Sequence, residues 1–206
     1  MKTIFLHGLG QPNTVWKQTT DRLSLQTEII CPELFSTNAK EVLTYKRVYQ
    51  YFQDSLEMTD EPFNLCGLSL GGVLALNYCI DRPDKVMAAA LIATQYRMPR
   101  RLLSLQNAVF HLMPESGFRE TGLSKRDMIT LTNSMKSLDF SEGLSKINIP
   151  MVIICGEKDR ANLRASEELA TLIPGANLHI VKGSGHEINR VAPEELAAIL
   201  NRFFST

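Results

Sequence analysis

Short apolar runs alternate with longer segments of helical period along this chain. The runs fall at 3–6, 28–31, 63–66, 86–93, 151–155 and 177–181. Met151-Val152-Ile153-Ile154-Cys155 is apolar at every position, the pattern of a strand covered on both faces in a parallel sheet. The intervening segments carry the spacing of helices. In 38–56, Val42, Tyr45, Tyr49, Phe52 and Leu56 recur at three and four, with Asn38 as the N-cap and Glu41 at the reach-back position. Pro193 opens a last helix whose Leu196, Ile199, Leu200 and Phe203 form one stripe. Strand–helix alternation of this length predicts a doubly wound α/β fold with a mainly parallel sheet of about six strands.

Residues 95–145 break the alternation. No strand pattern occurs there, but two helical ones do. The first covers 99–113 and places Leu102, Leu105, Val109 and Met113 on one face. The second covers 124–138, with a Ser124/Asp127 capping pair and Met128, Leu131, Met135 and Leu138 on one face. The reading is one domain over 1–206 with a helical lid inserted at 95–145, after the fourth strand.

Length and composition narrow the function classes. The chain has 206 residues, enough for one sizeable core, and its formal net charge is zero. A neutral chain without a lysine- or arginine-rich run lacks the electrostatic footprint of a nucleic-acid binder. No apolar stretch approaches the roughly 20 residues of a membrane span. The apolar run near the N-terminus is only Ile4 to Leu6, too short for a secretory signal. Cys31, Cys66, Cys79 and Cys155 are scattered and form no C-x-x-C pair. They read as reduced thiols of a cytoplasmic protein, not as disulfides or metal ligands.

The candidate chemistry begins at Gly67-Leu68-Ser69-Leu70-Gly71-Gly72, between a strand and a helix. A serine at the apex of so tight a turn is strained and held above the sheet edge. Residues two before and two after it approach neighbouring backbone too closely for a β-carbon, so glycine stands at both. The first N–H groups of the following helix lack intrahelical partners, and that of Leu70 points where a carbonyl oxygen gains charge during attack. A serine hydroxyl needs a base. Of four histidines, His186 lies in Gly183-Ser184-Gly185-His186 just after the last strand, at the sheet edge where ligands bind. His179 lies within a strand and His111 within the insertion, positions that suit packing and surface roles. Asp159, three residues past the fifth strand, is the acid that can orient His186, with Glu157 as its rival. The chain order Ser69, Asp159, His186 strengthens each member.

With these residues in place the sequence resembles the α/β-hydrolase superfamily. The matching pieces are His7-Gly8-Leu9-Gly10, Gly67–Gly72, Gly156-Glu157-Lys158-Asp159 and Gly185-His186, each at a loop following a strand. The resemblance implies Ser69 as nucleophile, Asp159 as acid and His186 as base. It further implies an oxyanion hole from the backbone N–H groups of Leu9 and Leu70. His7 becomes a supporting residue at the substrate site, and Trp16 a packing aromatic. The chain lacks the H-G-G-G form of many lipases, and Ser69 stands where epoxide hydrolases and haloalkane dehalogenases carry aspartate.

Met98, Met113 and Met128 of the insertion are candidate substrate contacts, since methionine adapts to irregular apolar ligands. Arg97, Arg100 and Arg101 follow the fourth strand, where they could meet an anionic acyl group or form a solvated face. The favoured function is a cofactor- and metal-independent serine hydrolase of small carboxylic esters or thioesters. Two alternatives remain: C–C bond hydrolysis or lyase chemistry on the same triad, and a non-catalytic small-ligand sensor. The expected partner is a small-molecule substrate, with a homodimer left open.

Overall fold

The computed structural model describes residues 1–35, 42–56 and 61–205. Six strands form one parallel sheet: β1 (Lys2–Leu6), β2 (Glu28–Ile30), β3 (Phe63–Leu68), β4 (Val86–Ile92), β5 (Met151–Gly156) and β6 (Asn177–Val181). Their spatial order is β2-β1-β3-β4-β5-β6. The helices of the described residues are α1 (Lys17–Thr20), α2 (Tyr45–Ser55), α3 (Leu70–Asp81), α4 (Arg100–Leu112), α5 (Lys125–Met135), α6 (Ser141–Leu144), α7 (Leu163–Leu172), α8 (Ile188–Val191) and α9 (Pro193–Phe204).

Alternation along each strand builds two cores. Ile4, Leu6, Leu65, Leu91 and Ile153 face one layer with residues of α2, α3 and α7. Phe5, Cys66, Ile92, Val152 and Ile154 face the other with Trp16, Leu196 and Leu200. Each of these side chains is essentially excluded from water, a burial that stabilises by about 1.5–3 kcal/mol for each large one. Trp16 packs its ring 5.2 Å from that of Phe5. α3 is apolar over most of its circumference because it is packed between the sheet and α2, with nine of its twelve residues buried.

The strand order locates the functional edge. After β1 the chain moves outward to β2 and then crosses back to β3 on the opposite side of β1. Loops leaving β1 and β3 therefore part in opposite directions, and the crevice between them is where open α/β sheets bind ligands. The loop with Leu9 follows β1, and Ser69 follows β3.

Two helix readings change. Asn38 and Glu41 lie outside the described residues. α2 starts at Tyr45, with the Thr44 hydroxyl accepting from Arg47 N–H; Val42 precedes the helix and is exposed. The capping pair at Ser124 forms as the pattern predicts, Asp127 N–H donating to Ser124 Oγ at 3.1 Å. In α4, however, Leu102, Leu105 and Val109 face solvent rather than the core. A helical period reveals that a helix has an apolar face but not which way that face turns.

Candidate active site

β3 ends in the turn that holds Ser69 at φ 54°, ψ −114°, a backbone conformation that non-glycine residues rarely adopt. The strain is held from both sides. Ser69 N–H donates to Ile92 O on β4 at 2.8 Å, and Ser69 O accepts from Val73 N–H in α3 at 2.9 Å. The flanking glycines answer to steric need. A β-carbon on Gly67 would collide with the Gly71 carbonyl, and one on Gly71 with the Leu6 carbonyl of β1. The turn is thus wedged between its own strand and the neighbouring one.

Asp159 and His186 come together from the loops after β5 and β6. Lys158 N–H donates to Ser184 O at 2.8 Å, tying the two loops. His186 Nδ1 lies 2.7 Å from Asp159 Oδ2. The Asp159 carboxyl is almost fully buried while the imidazole is 41% exposed. Burial works against the charge of Asp159, but hydrogen bonds from His186 and Asn162 outweigh it and hold the carboxyl below its usual range. Glu157, the rival acid, turns away and accepts Gly183 N–H at 2.8 Å.

The sequence pattern did not single out Asn162. Its Nδ2 lies 2.9 Å from both Oδ1 and Oδ2 of Asp159 and 3.1 Å from His186 Nδ1. With the Nδ1 proton of His186 committed to Asp159, the amide hydrogens of Asn162 go to the carboxylate. Gln95 sets the amide's orientation, its Nε2 donating to Asn162 Oδ1 at 3.0 Å and Ala161 O at 2.8 Å. Gln95, Asn162, Asp159 and His186 form one polar chain.

A second polar cluster joins the β1 loop to the His186 loop. Gln11 Oε1 accepts from Gly8 N–H at 3.1 Å and from Asn189 Nδ2 at 3.2 Å. Gln11 Nε2 donates to Glu187 Oε1 at 2.7 Å. Gln11 and Asn189 are both buried. Their 178-residue separation along the chain hid the pairing from the sequence. Between Gly8 and Gln11 stands Leu9. Neither its N–H nor that of Leu70 has a hydrogen-bond partner among the described residues.

Ser69, Leu9, Leu70, Asn162 and His186 line one cavity of about 440 Å³. No hydrogen bond joins Ser69 Oγ to His186 among the described residues; the two meet through the cavity they share. Met98, Met113 and Met128 line it too, with Met135, Phe110 and Phe118 beside them. No Lys, Arg, Asp or Glu lines it among the described residues. Arg97 and Arg100 instead line an adjoining groove of about 490 Å³ with Arg164, Asp139 and Glu168.

His7 is not part of the cavity lining. Its Nδ1–H donates to Gly8 O at 3.0 Å, and its Nε2 accepts Leu34 N–H at 3.2 Å, which fixes the neutral tautomer. Burial pushes its pKa below the usual histidine value, so Glu33, 3.3 Å away, sits beside a neutral ring. His7 braces the β1 loop from below. No group of three or more His, Cys, Asp or Glu suited to a metal ion occurs among the described residues. Nor is any helix there long and apolar enough to cross a membrane.

A family model described as an alpha/beta hydrolase family matches residues 3–199. Monoacylglycerol lipase abhd6-B of Xenopus laevis is 19% identical over 260 residues, covering 98% of this chain and 75% of its own. Among solved structures, MenH from S. aureus superposes with a TM-score of 0.86 at 16% identity, over 100% of this chain and 93% of that one. An esterase from Exiguobacterium antarcticum does so with a TM-score of 0.85 at 16% identity, over 100% and 92%.

Proposed function

The chain belongs to the alpha/beta hydrolase family, and from that premise we propose that it is a serine hydrolase of small, uncharged carboxylic esters or thioesters. The observation that carries the reading is the buried Asp159 carboxylate bonded at 2.7 Å to His186, whose ring lines the cavity that also exposes the strained Ser69. On this reading His186 Nε2 takes the Ser69 proton as Oγ bonds to the substrate carbonyl carbon. The carbonyl oxygen becomes an oxyanion, which the N–H groups of Leu9 and Leu70 receive. Collapse breaks the bond to the leaving group, and His186 returns the proton to it. A water then gives its proton to His186 and attacks the acyl-enzyme, releasing the acid and restoring Ser69. Asp159 holds the ring and balances its charge while it is protonated.

The cavity lining supports the substrate class. Methionine, leucine and phenylalanine side chains suit an apolar acyl group, and burying a carboxylate among them without a cation is costly. That argues against the C–C bond chemistry of carboxylate-bearing substrates. We read residues 95–145 as the lid, since that segment supplies most of the apolar lining, Met98, Leu103, Phe110, Met113, Phe118 and Met128 among it. The test is hydrolysis of p-nitrophenyl acetate and butyrate. Ser69→Ala is expected to lose roughly 10⁴-fold or more in kcat while keeping its melting temperature. Retention of wild-type turnover in that variant overturns the assignment, and turnover of dienoate acids alone favours the lyase reading.

A further inference from the structure

α4 is built inside out. At about 100° per residue, Leu112, Leu105, Val109 and Leu102 fall within about 80° of arc, and all four are exposed, from 47% at Leu102 to 87% at Leu112. The neighbouring arc carries Met113, Gln106, Phe110 and Leu103, which line the cavity. The face turned to α5 is polar. Asn107 is buried there, with Nδ2 donating to Asn133 Oδ1 at 2.6 Å and its own Oδ1 unpartnered. A helix that buries an asparagine and shows water a leucine stripe suits an environment larger than the monomer.

The stripe itself points to its occupant. Its spacing of three, four and three is that of a helix–helix seam and reads the same in both directions about its midpoint. An antiparallel pair related by a two-fold axis requires that symmetry, because each residue meets the counterpart across the axis. Leu105 would meet Val109 of the partner subunit, and Leu102 would meet Leu112 of the partner subunit. The charges follow the same rule. Arg100 and Arg101 open α4, whose first turn carries no acid, so their charges oppose the local helix dipole. Arg101 has no hydrogen-bond or ion-pair partner among the described residues. Arg100 turns to the opposite side, where its Nε donates to Lys136 O at 3.1 Å, but Arg101 lies within about 20° of Leu112 on the wheel, and antiparallel pairing brings its guanidinium next to Glu115 of the partner subunit. We propose that the exposed Leu102–Leu105–Val109–Leu112 face of α4 is the contact surface of a two-fold homodimer, with the two lid helices packed antiparallel. Because Leu102 also lines the cavity, pairing places the second copy at its rim.

Sedimentation-velocity runs over a concentration series test this, with Leu105→Glu and Val109→Lys, neither of which lines the cavity. The wild type is expected to dimerise reversibly. Each variant alone is expected to weaken dimerisation at least tenfold while keeping its melting temperature and its hydrolysis of p-nitrophenyl acetate. Mixing the two variants is expected to restore a dimer. In that pair one introduced glutamate faces one introduced lysine, and an unaltered Leu105–Val109 contact survives across the axis. A wild type that stays monomeric at 200 µM overturns the proposal, as does a dimer that both variants leave intact. Recovery of no dimer on mixing overturns the antiparallel pairing. A monomeric wild type that co-sediments with phosphatidylglycerol vesicles identifies a lipid surface as the occupant and overturns the second copy.

Discussion

Replacing Asn162 by aspartate changes a donor into an acceptor with almost no change in shape. The amide nitrogen now lies 2.9 Å from each oxygen of Asp159, a carboxyl that is nearly fully buried. Asn162→Asp puts a second carboxylate at that distance, and two such groups cannot both ionise. One proton is then shared between them, and His186 faces a partner that is neither fully charged nor held in place. A hydrogen bond to a charged group contributes about 1.5–3 kcal/mol. At 1.36 kcal/mol per decade, its loss from the transition state lowers kcat/KM by about 10–150-fold. KM should change little, because the cavity holds the acyl group through apolar side chains. Steady-state hydrolysis of p-nitrophenyl butyrate measures the effect, with circular dichroism to establish that the variant is folded. Gln95→Ala, which frees Asn162 without removing it, is expected to cost less, about 3–10-fold, as one neutral hydrogen bond implies. A folded Asn162→Asp enzyme with kcat/KM within twofold of wild type would refute a role for Asn162 in positioning Asp159.

Other consequences follow from the same geometry. Gln11→Ala orphans the buried Asn189 side chain and Gly8 N–H, costing about 1–3 kcal/mol in urea unfolding. It should also lower kcat by loosening the Leu9 loop; a less stable variant with unaltered kcat would reduce the cluster to a structural clasp. Gly71→Ala drives a β-carbon into the Leu6 carbonyl, an overpacking worth about 1–3 kcal/mol and a fall of about 2–12 °C in Tm. An unchanged Tm would mean that the turn is less tightly wedged than described. His7 has a folded pKa below its unfolded value, so the unfolded chain takes up that proton first as pH falls. Stability held in full above about pH 6.5 is therefore lost as pH drops toward the lower folded value. His7→Gln should flatten this part of the Tm–pH curve, and a slope equal to wild type would contradict the neutral, buried ring.

Local physics made much of the fold and the candidate site legible. Residues 151–155 read as a doubly covered strand because both faces of β5 are buried, which leaves no polar alternation to confuse the pattern. Gly67 and Gly71 were readable because the collisions that forbid a side chain arise within the turn and at the adjoining strand. Asn162 was not readable, since an asparagine three residues past an acid is an ordinary loop residue until His186 is folded beside it. Gln11 and Asn189 belong to opposite ends of the chain and acquire meaning only as a pair. The α4 stripe was visible but its direction was not. The helix instead turns Asn107 toward α5, where it bonds Asn133 at 2.6 Å, a pairing that no period along one helix reveals.

The central claim is that Ser69 attacks as an activated nucleophile. Fluorophosphonate labelling of the folded protein, followed by peptide mass mapping, tests it directly. One phosphonyl adduct is expected on Ser69, lost in Ser69→Ala and slowed at least 100-fold in His186→Ala. An unlabelled Ser69 in folded wild-type protein, or labelling at full rate without His186, would contradict it.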